Sequence, residues 1–256
     1  MRFKKNYYLF LTIIQSVSES LPVSSSTHIK IFNMLWQKHY LIQKNWQLWE
    51  DLAHLATAIA LIPLFCNLFN DFEQLLNKFL WIIIVDSITL IGYLFIRDRV
   101  QRYLPAIGLI FTGLILFLIN FLPDNQDIDL NLKHFLLRAF AVGVLQSLAF
   151  IPGVSRLGLI FSFLRFSGFS INQAWYFSWL AMLPLLIARF LLGFYKLFNR
   201  KELSSKIFLK LSFDIFIGSL FAYGSLYIMF NFLIKSTFIF IYPFVLGVLC
   251  YIYWPN

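Results

Sequence analysis

The chain has 256 residues, of which 60% are hydrophobic, 20% aromatic and only 13% charged, where a typical soluble domain is about 45–50% apolar and about 25% charged. Its 21 basic and 12 acidic residues are too few to cover a water-facing surface, so a soluble globular domain is excluded. The net charge of +9 sits in short clusters between apolar runs rather than on one amphipathic face, which reads as topology signal and excludes a nucleic-acid footprint.

A bilayer core of about 30 Å needs roughly 20 apolar residues per helix. In chain order, residues 6–35 come first; they are apolar enough for membrane depth but interrupted midway by SESLPVSSSTH. Three continuous apolar runs follow, predicted as spans over 52–69, 79–96 and 104–122. Residues 133–167 are again apolar and again interrupted, here by IPGVSR, and predicted spans over 172–195, 208–232 and 236–254 complete the chain. Irregular backbone at membrane depth is tolerated only where protein or a water-filled cavity satisfies its polar groups, so both interruptions are expected to line a cavity. No small-x-small cleavage site follows the first apolar run, and the N-terminus is expected to be retained.

One broken segment plus three spans fills residues 1–122 and the same plan fills 133–254. Three is odd, so the second copy is inverted. The expected fold is an all-α polytopic membrane protein, a single integral membrane domain over 1–256 with an inverted repeat of one broken re-entrant helix pair plus three transmembrane helices per half. Loop charges give its orientation. With the N-terminus inside, the inner loops hold Arg2, Lys4, Lys5, Lys38, Lys44, Arg97, Arg99, Arg102, Lys196, Arg200, Lys201, Lys206 and Lys210. The outer loops hold Asp71, Glu73, Asp124, Asp127 and Asp129 against Lys78, Lys133 and Lys235.

An ionised side chain at membrane depth costs at least about 2.5–3.5 kcal/mol on insertion scales, so it needs a partner or a purpose. Glu19 and Arg156 each lie inside a broken segment, and the repeat is expected to bring them together, as a structural ion pair or around a charged ligand. Gln15 precedes Glu19 by four residues, on the same helical face, so amide and carboxylate can hold a hard cation or a water. Pro22 is expected to restart the helix, with Ser24, Ser25 and Ser26 in its first turn. His28 then lies three residues after Ser25 and four after Ser24, the adjacency an activated serine or a His-assisted water requires. Capping serines beside an incidental histidine are the plainer alternative. In PGVSRLG, Gly153, Ser155 and Arg156 surround a helix start, where backbone amides and a guanidinium fork suit phosphate oxygens.

Together, QSVSESLPVSSSTH and IPGVSRLG resemble the signatures of the bacterial undecaprenyl-diphosphate phosphatases of the bacitracin-resistance type, (E/Q)xxxE followed by LPVSSxxH, and PGxSRSxxT. INQAWYFSWLAMLP is similar to the family segment after the second signature. The resemblance implies a hydrolase of the bacterial inner (plasma) membrane, multi-pass, that removes the terminal phosphate of a polyprenyl diphosphate and returns the monophosphate carrier lipid to cell-wall synthesis. It implies that Gln15 and Glu19 serve a divalent cation (Mg or Ca) or the diphosphate, that Ser25 and His28 sit at the reacting phosphorus, and that Ser155 and Arg156 hold phosphate oxygens. Ser24, Ser26 and Gly153 complete the substrate-binding set. The motifs leave open whether the serine or a water attacks, and whether the chain forms a homo-oligomer.

Leu157 and Ile160 stand where the family shows serine and threonine, and Ser16, Ser20 and Thr27 replace glycine, phenylalanine and glycine. Loss of two hydroxyls beside Arg156 is expected to weaken phosphate binding, each neutral hydrogen bond being worth about 0.5–1.5 kcal/mol. A lipid or ion transporter and a catalytically degenerate lipid-binding homologue are the alternatives, since broken helices in inverted repeats also build transporters. Elsewhere, Cys66 and Cys250 read as packing residues, Asp86, Arg189 and Asp214 as snorkelling or helix-pairing groups, and His39, His54 and His134 as interfacial or packing residues. Asp51 and His54 are also placed as alternatives for the cavity mouth.

Overall fold

The computed structural model describes residues 2–37, 46–65, 72–100, 104–124, 132–200, 204–233 and 238–253, and no strand occurs among them. Cys66, His39 and the loop charges Lys38, Lys44, Asp71, Arg102, Asp127, Asp129, Lys201 and Lys235 lie outside the described residues.

The helices are α1 (Arg2–Ser20), α2 (Ser25–Gln37), α3 (Trp46–Ala60), α4 (Ile62–Phe65), α5 (Phe72–Val100), α6 (Pro105–Ile119), α7 (Leu132–Leu148), α8 (Arg156–Phe166), α9 (Ile171–Asn199), α10 (Ser205–Ile228), which runs into a π turn over Met229–Leu233, and α11 (Phe238–Tyr253). Among the described residues, three helices are long and apolar enough to cross a membrane, over Leu76–Ile96, Ile171–Asn199 and Ser205–Phe232. Shorter apolar helices cover Pro105–Ile119, His134–Leu148 and Ile241–Tyr253. This is a membrane protein, and both predicted interruptions are real: α1 stops at Ser20 before α2, and α7 stops at Leu148 before α8.

Of the predicted span over 52–69, the described residues show α3 and α4 with a break at Leu61, and residues 66–69 lie outside them. Proline cannot donate a backbone hydrogen bond and crowds the carbonyl four residues before it. Ahead of Pro63, α3 ends at Ala60, the Leu61 amide keeping the helical bond to the Thr57 carbonyl at 3.2 Å while sharing with Ala58 at 3.3 Å, and α4 resumes at Ile62. Pro184, by contrast, sits inside α9 without ending it.

The chain forms two compact units: residues 1–21, 25–63 and 185–229 in one, and 22–24, 64–184 and 230–256 in the other. In the first, α1 packs on α2, α3 and α10 around Tyr7, Leu11, Ile29, Leu52, Ala56, Leu211 and Ile215. The polar string in α1 remains helical because its hydroxyls turn back on their own helix. Thr12 donates to the Tyr8 carbonyl (2.9 Å), Ser16 to Thr12 (2.6 Å), Ser18 to Ile14 (2.5 Å) and Ser20 to Ser16 (2.7 Å). Asp51 on α3 accepts from Lys196 at 2.9 Å and lies 3.4 Å from Arg189, which makes Arg189 a helix-pairing group as expected.

In the second unit, α5 meets α7 through small residues. A Cβ on Gly143 would come within 2.8 Å of Ile88, and Thr89 donates to the Gly143 carbonyl at 3.3 Å. Buried Arg165 on α8 donates to the Phe169 and Pro123 carbonyls at 2.6 and 2.8 Å and pairs with Asp124 at 3.4 Å. That ties the end of α8 to the residues after α6. Cys250 is buried in α11, as a packing residue should be.

Candidate functional site

The first motif is built on α1 and α2. Gln15 and Glu19 face the same way one turn apart and are almost fully buried, at 1% and 6% exposure. The Gln15 amide donates to Glu19 Oε1 at 3.3 Å and reaches Ser25 Oγ at 3.5 Å. The expected side-by-side amide and carboxylate is therefore present, with Ser25 on the amide's other side. His54 on α3 joins them: its Nδ1 lies 2.8 Å from Glu19 Oε1, 3.0 Å from Oε2 and 3.4 Å from Gln15 Nε2.

The sequence suggests a packing or cavity-mouth residue at His54, and the structure places it at the carboxylate itself. It comes from another helix, 35 residues further along the chain, so no local spacing links it to Glu19. The available signal was an ionisable ring inside an apolar stretch, the same cue that singled out Glu19.

The restart of the helix needs a correction. The backbone turns at Leu21 and Pro22, and α2 begins at Ser25, not Pro22. Ser24 thus occupies the position before the helix, where short polar side chains are favoured, rather than its first turn. Ser25 and His28 keep their three-residue helical spacing. His28 is half-buried, and Ser26 is exposed.

The second motif is a tight turn held against α6. Gly153 has φ +88, a conformation open to glycine, and a Cβ there would lie 1.9 Å from the Pro105 carbonyl oxygen. The Ser155 amide donates to Thr112 Oγ1 at 3.0 Å, and Ser155 Oγ caps α8 by accepting from the Gly158 amide at 3.1 Å. Ser155 is thus a helix cap as well as a candidate phosphate ligand. Arg156 opens α8, its guanidinium 5.2 Å from the Phe150 ring centre. Leu157 and Ile160, the departures from the family pattern, are buried at 2% and 0% exposure.

Within the second unit the Pro22 turn meets α8. Pro22–Ser24 belongs to the same compact unit as α8, and a Cβ on Gly158 would lie 3.1 Å from the Pro22 carbonyl oxygen. The turn that precedes Ser25 therefore packs on the first turn of the helix that Arg156 opens.

The donor set can be tested against a divalent cation. Glu19 contributes a carboxylate, and Gln15 Oε1 is buried with no hydrogen-bond partner among the described residues. These are hard oxygen ligands. No cluster of three or more His, Cys, Asp or Glu suited to a metal occurs among the described residues. The set fits an Mg-like ion that keeps waters and takes its remaining ligands from a diphosphate.

Comparison with known proteins covers nearly the whole chain. The family model described as Bacitracin resistance protein BacA matches residues 8–249. A protein of Sulfurihydrogenibium sp. named undecaprenyl-diphosphatase is 29% identical over 96% of this chain and 98% of its own. Another of that name from Caldicellulosiruptor bescii is 32% identical over 70% of this chain and 71% of its own. A third, from Borrelia hermsii, is 26% identical over 84% and 83%. With both motifs intact at their core residues and the match running from the first broken segment to the last helix, the chain belongs to the bacitracin resistance protein BacA family.

Proposed function

We propose that this protein is an undecaprenyl-diphosphatase, a membrane hydrolase that cleaves the terminal phosphoanhydride of undecaprenyl diphosphate to yield undecaprenyl phosphate and inorganic phosphate for cell-wall synthesis. The observation that carries the reading is the buried Glu19 carboxylate, held by Gln15 and His54, with Ser25 Oγ 3.5 Å from the same Gln15 amide. A substrate with so long an apolar tail stays in the bilayer, so only its diphosphate enters the polar site while the tail leaves between helices. The protein works in the bacterial inner membrane as a multi-pass protein, with the inverted repeat as its plan.

Glu19, fixed by Gln15 and His54, presents an oriented carboxylate, and Gln15 Oε1 stands ready as a second oxygen ligand. These two residues would hold the divalent cation, which when bound neutralises charge on the diphosphate. Arg156 takes phosphate oxygens through its guanidinium fork, where charge gathers on the transferred group. Ser25 and His28 face the reacting phosphorus, and His28 moves the proton. Buried Leu157 and Ile160 favour a second reading, a homologue that binds the lipid without cleaving it, because they withhold hydroxyls from the phosphate.

Phosphate release by purified protein from long-chain and short-chain prenyl diphosphates, with and without chelator, tests the proposal. Release that favours the long chain and stops with chelator is expected. Lipid binding without release would establish the degenerate homologue, and chelator-insensitive release would remove the cation.

A further inference from the structure

We infer that His54 is a positioning residue of the site: through Nδ1–H it fixes the Glu19 carboxylate, and with it Gln15, in the geometry that receives a cation and diphosphate. The inference rests on the reading of Glu19 as a working carboxylate.

The tautomer follows from the contacts. Both Glu19 oxygens lie 2.8–3.0 Å from His54 Nδ1, and an ionised carboxylate only accepts, so the hydrogen is on Nδ1. With that nitrogen already a donor, the Gln15 amide 3.4 Å away has no acceptor there. Its hydrogens turn to Glu19 and Ser25, at 3.3 and 3.5 Å. One proton on His54 of α3 thus orders Glu19 and Gln15 on α1 and Ser25 on α2. It also turns Gln15 Oε1 away from the carboxylate, free to accept.

A packing role does not account for this ring. His54 Nε2 is buried with no hydrogen-bond partner among the described residues, and leaving a buried polar atom unsatisfied costs about 1–3 kcal/mol. A leucine would fill the space between α1 and α3 without that cost. What an imidazole adds is the Nδ1 donor, the relation seen where an outer hydrogen bond orients a ligand and its loss weakens the site about 10–100-fold.

Three substitutions separate the atoms of the ring. An asparagine amide occupies the position of Nδ1 and a glutamine amide that of Nε2, while leucine keeps bulk alone. If His54 acts through Glu19, His54→Asn keeps phosphate release within about threefold of the parent, whereas His54→Gln and His54→Leu lose about 10–100-fold in kcat/KM. The same order is expected without turnover. Titration of the purified, substrate-free proteins with Mg2+, followed by tryptophan fluorescence, should show half-saturation weakened about tenfold for Gln and Leu and little changed for Asn. Asn and Gln differ by one methylene and serve as each other's folding control. Parent-like behaviour of His54→Leu in both assays would overturn the inference, as would His54→Asn failing with Leu, which would make Nε2 the working atom. A parent that binds Mg2+ but releases no phosphate defeats the phosphatase reading alone, because the order of Mg2+ affinities still decides the role of His54. A parent that does neither defeats both.

Discussion

Gly153→Ala tests whether the second motif depends on its turn. At φ +88 any L side chain sits in the left-handed region, at about 1–2 kcal/mol. The added Cβ would also stand 1.9 Å from the Pro105 carbonyl oxygen, 2.7 Å from its carbon and 3.0 Å from the Leu109 nitrogen. All three are backbone atoms, so nothing flexible can swing aside, and overpacking of this sort costs about 1–3 kcal/mol more. The total, about 2–5 kcal/mol, is enough to push the turn off α6 and break the bond from the Ser155 amide to Thr112. Gly224→Ala is the control, because nothing lies within 4 Å of its Cβ and alanine favours a helix by up to about 1 kcal/mol. Thermal unfolding in detergent, with prenyl diphosphate binding measured alongside, should show Gly153→Ala destabilised and defective in binding and Gly224→Ala unimpaired. A Gly153→Ala protein that melts and binds as the parent does would refute the argument that this backbone must be glycine.

His28→Ala should lower phosphate release about 10²–10⁴-fold with lipid affinity retained, as loss of a proton-transfer group does. Arg156→Ala should damage both rate and affinity, because the guanidinium contacts phosphate before and during reaction; loss of affinity alone would remove it from the transition state. Leu157→Ser with Ile160→Thr should raise release per folded molecule yet lower the melting temperature, since Leu157 and Ile160 are both buried and shrinking a buried leucine costs a few kcal/mol, about 2–5 for alanine. Unchanged release would show that these hydroxyls are not what the site lacks. For topology, cysteine labels at Asn125 and Lys235 should react from outside the cell and labels at Arg99 and Lys201 only after permeabilisation; the reverse pattern would invert the orientation.

The breaks in α1–α2 and α7–α8 were legible because proline and glycine speak locally: a missing N–H or a positive φ acts where the residue stands. Gln15 and Glu19 were legible for the same reason, being one helical turn apart. What escaped depended on partners distant in sequence. His54 reaches Glu19 across 35 residues, and its helix gives no hint of which way the ring turns. The start of α2 at Ser25 was missed because proline suits a first helical position, and here a turn at Leu21–Pro22, packed against Gly158, delays it. Apolar composition over 52–69 gives no sign of the break at Leu61, because Pro63 acts on hydrogen bonding rather than hydropathy.

The hydroxyls that turn back along α1 also divide the serines of the first motif by reactivity. Ser16, Ser18 and Ser20 each give their only hydroxyl proton to a carbonyl of their own helix, which neutralises them as nucleophiles as surely as it lets them enter the bilayer. Ser25 is approached instead by a donor, the Gln15 amide, so its own proton is left for another acceptor. Backbone geometry alone thus sets Ser25 apart from Ser16, Ser18 and Ser20, with no base needed to tell them apart.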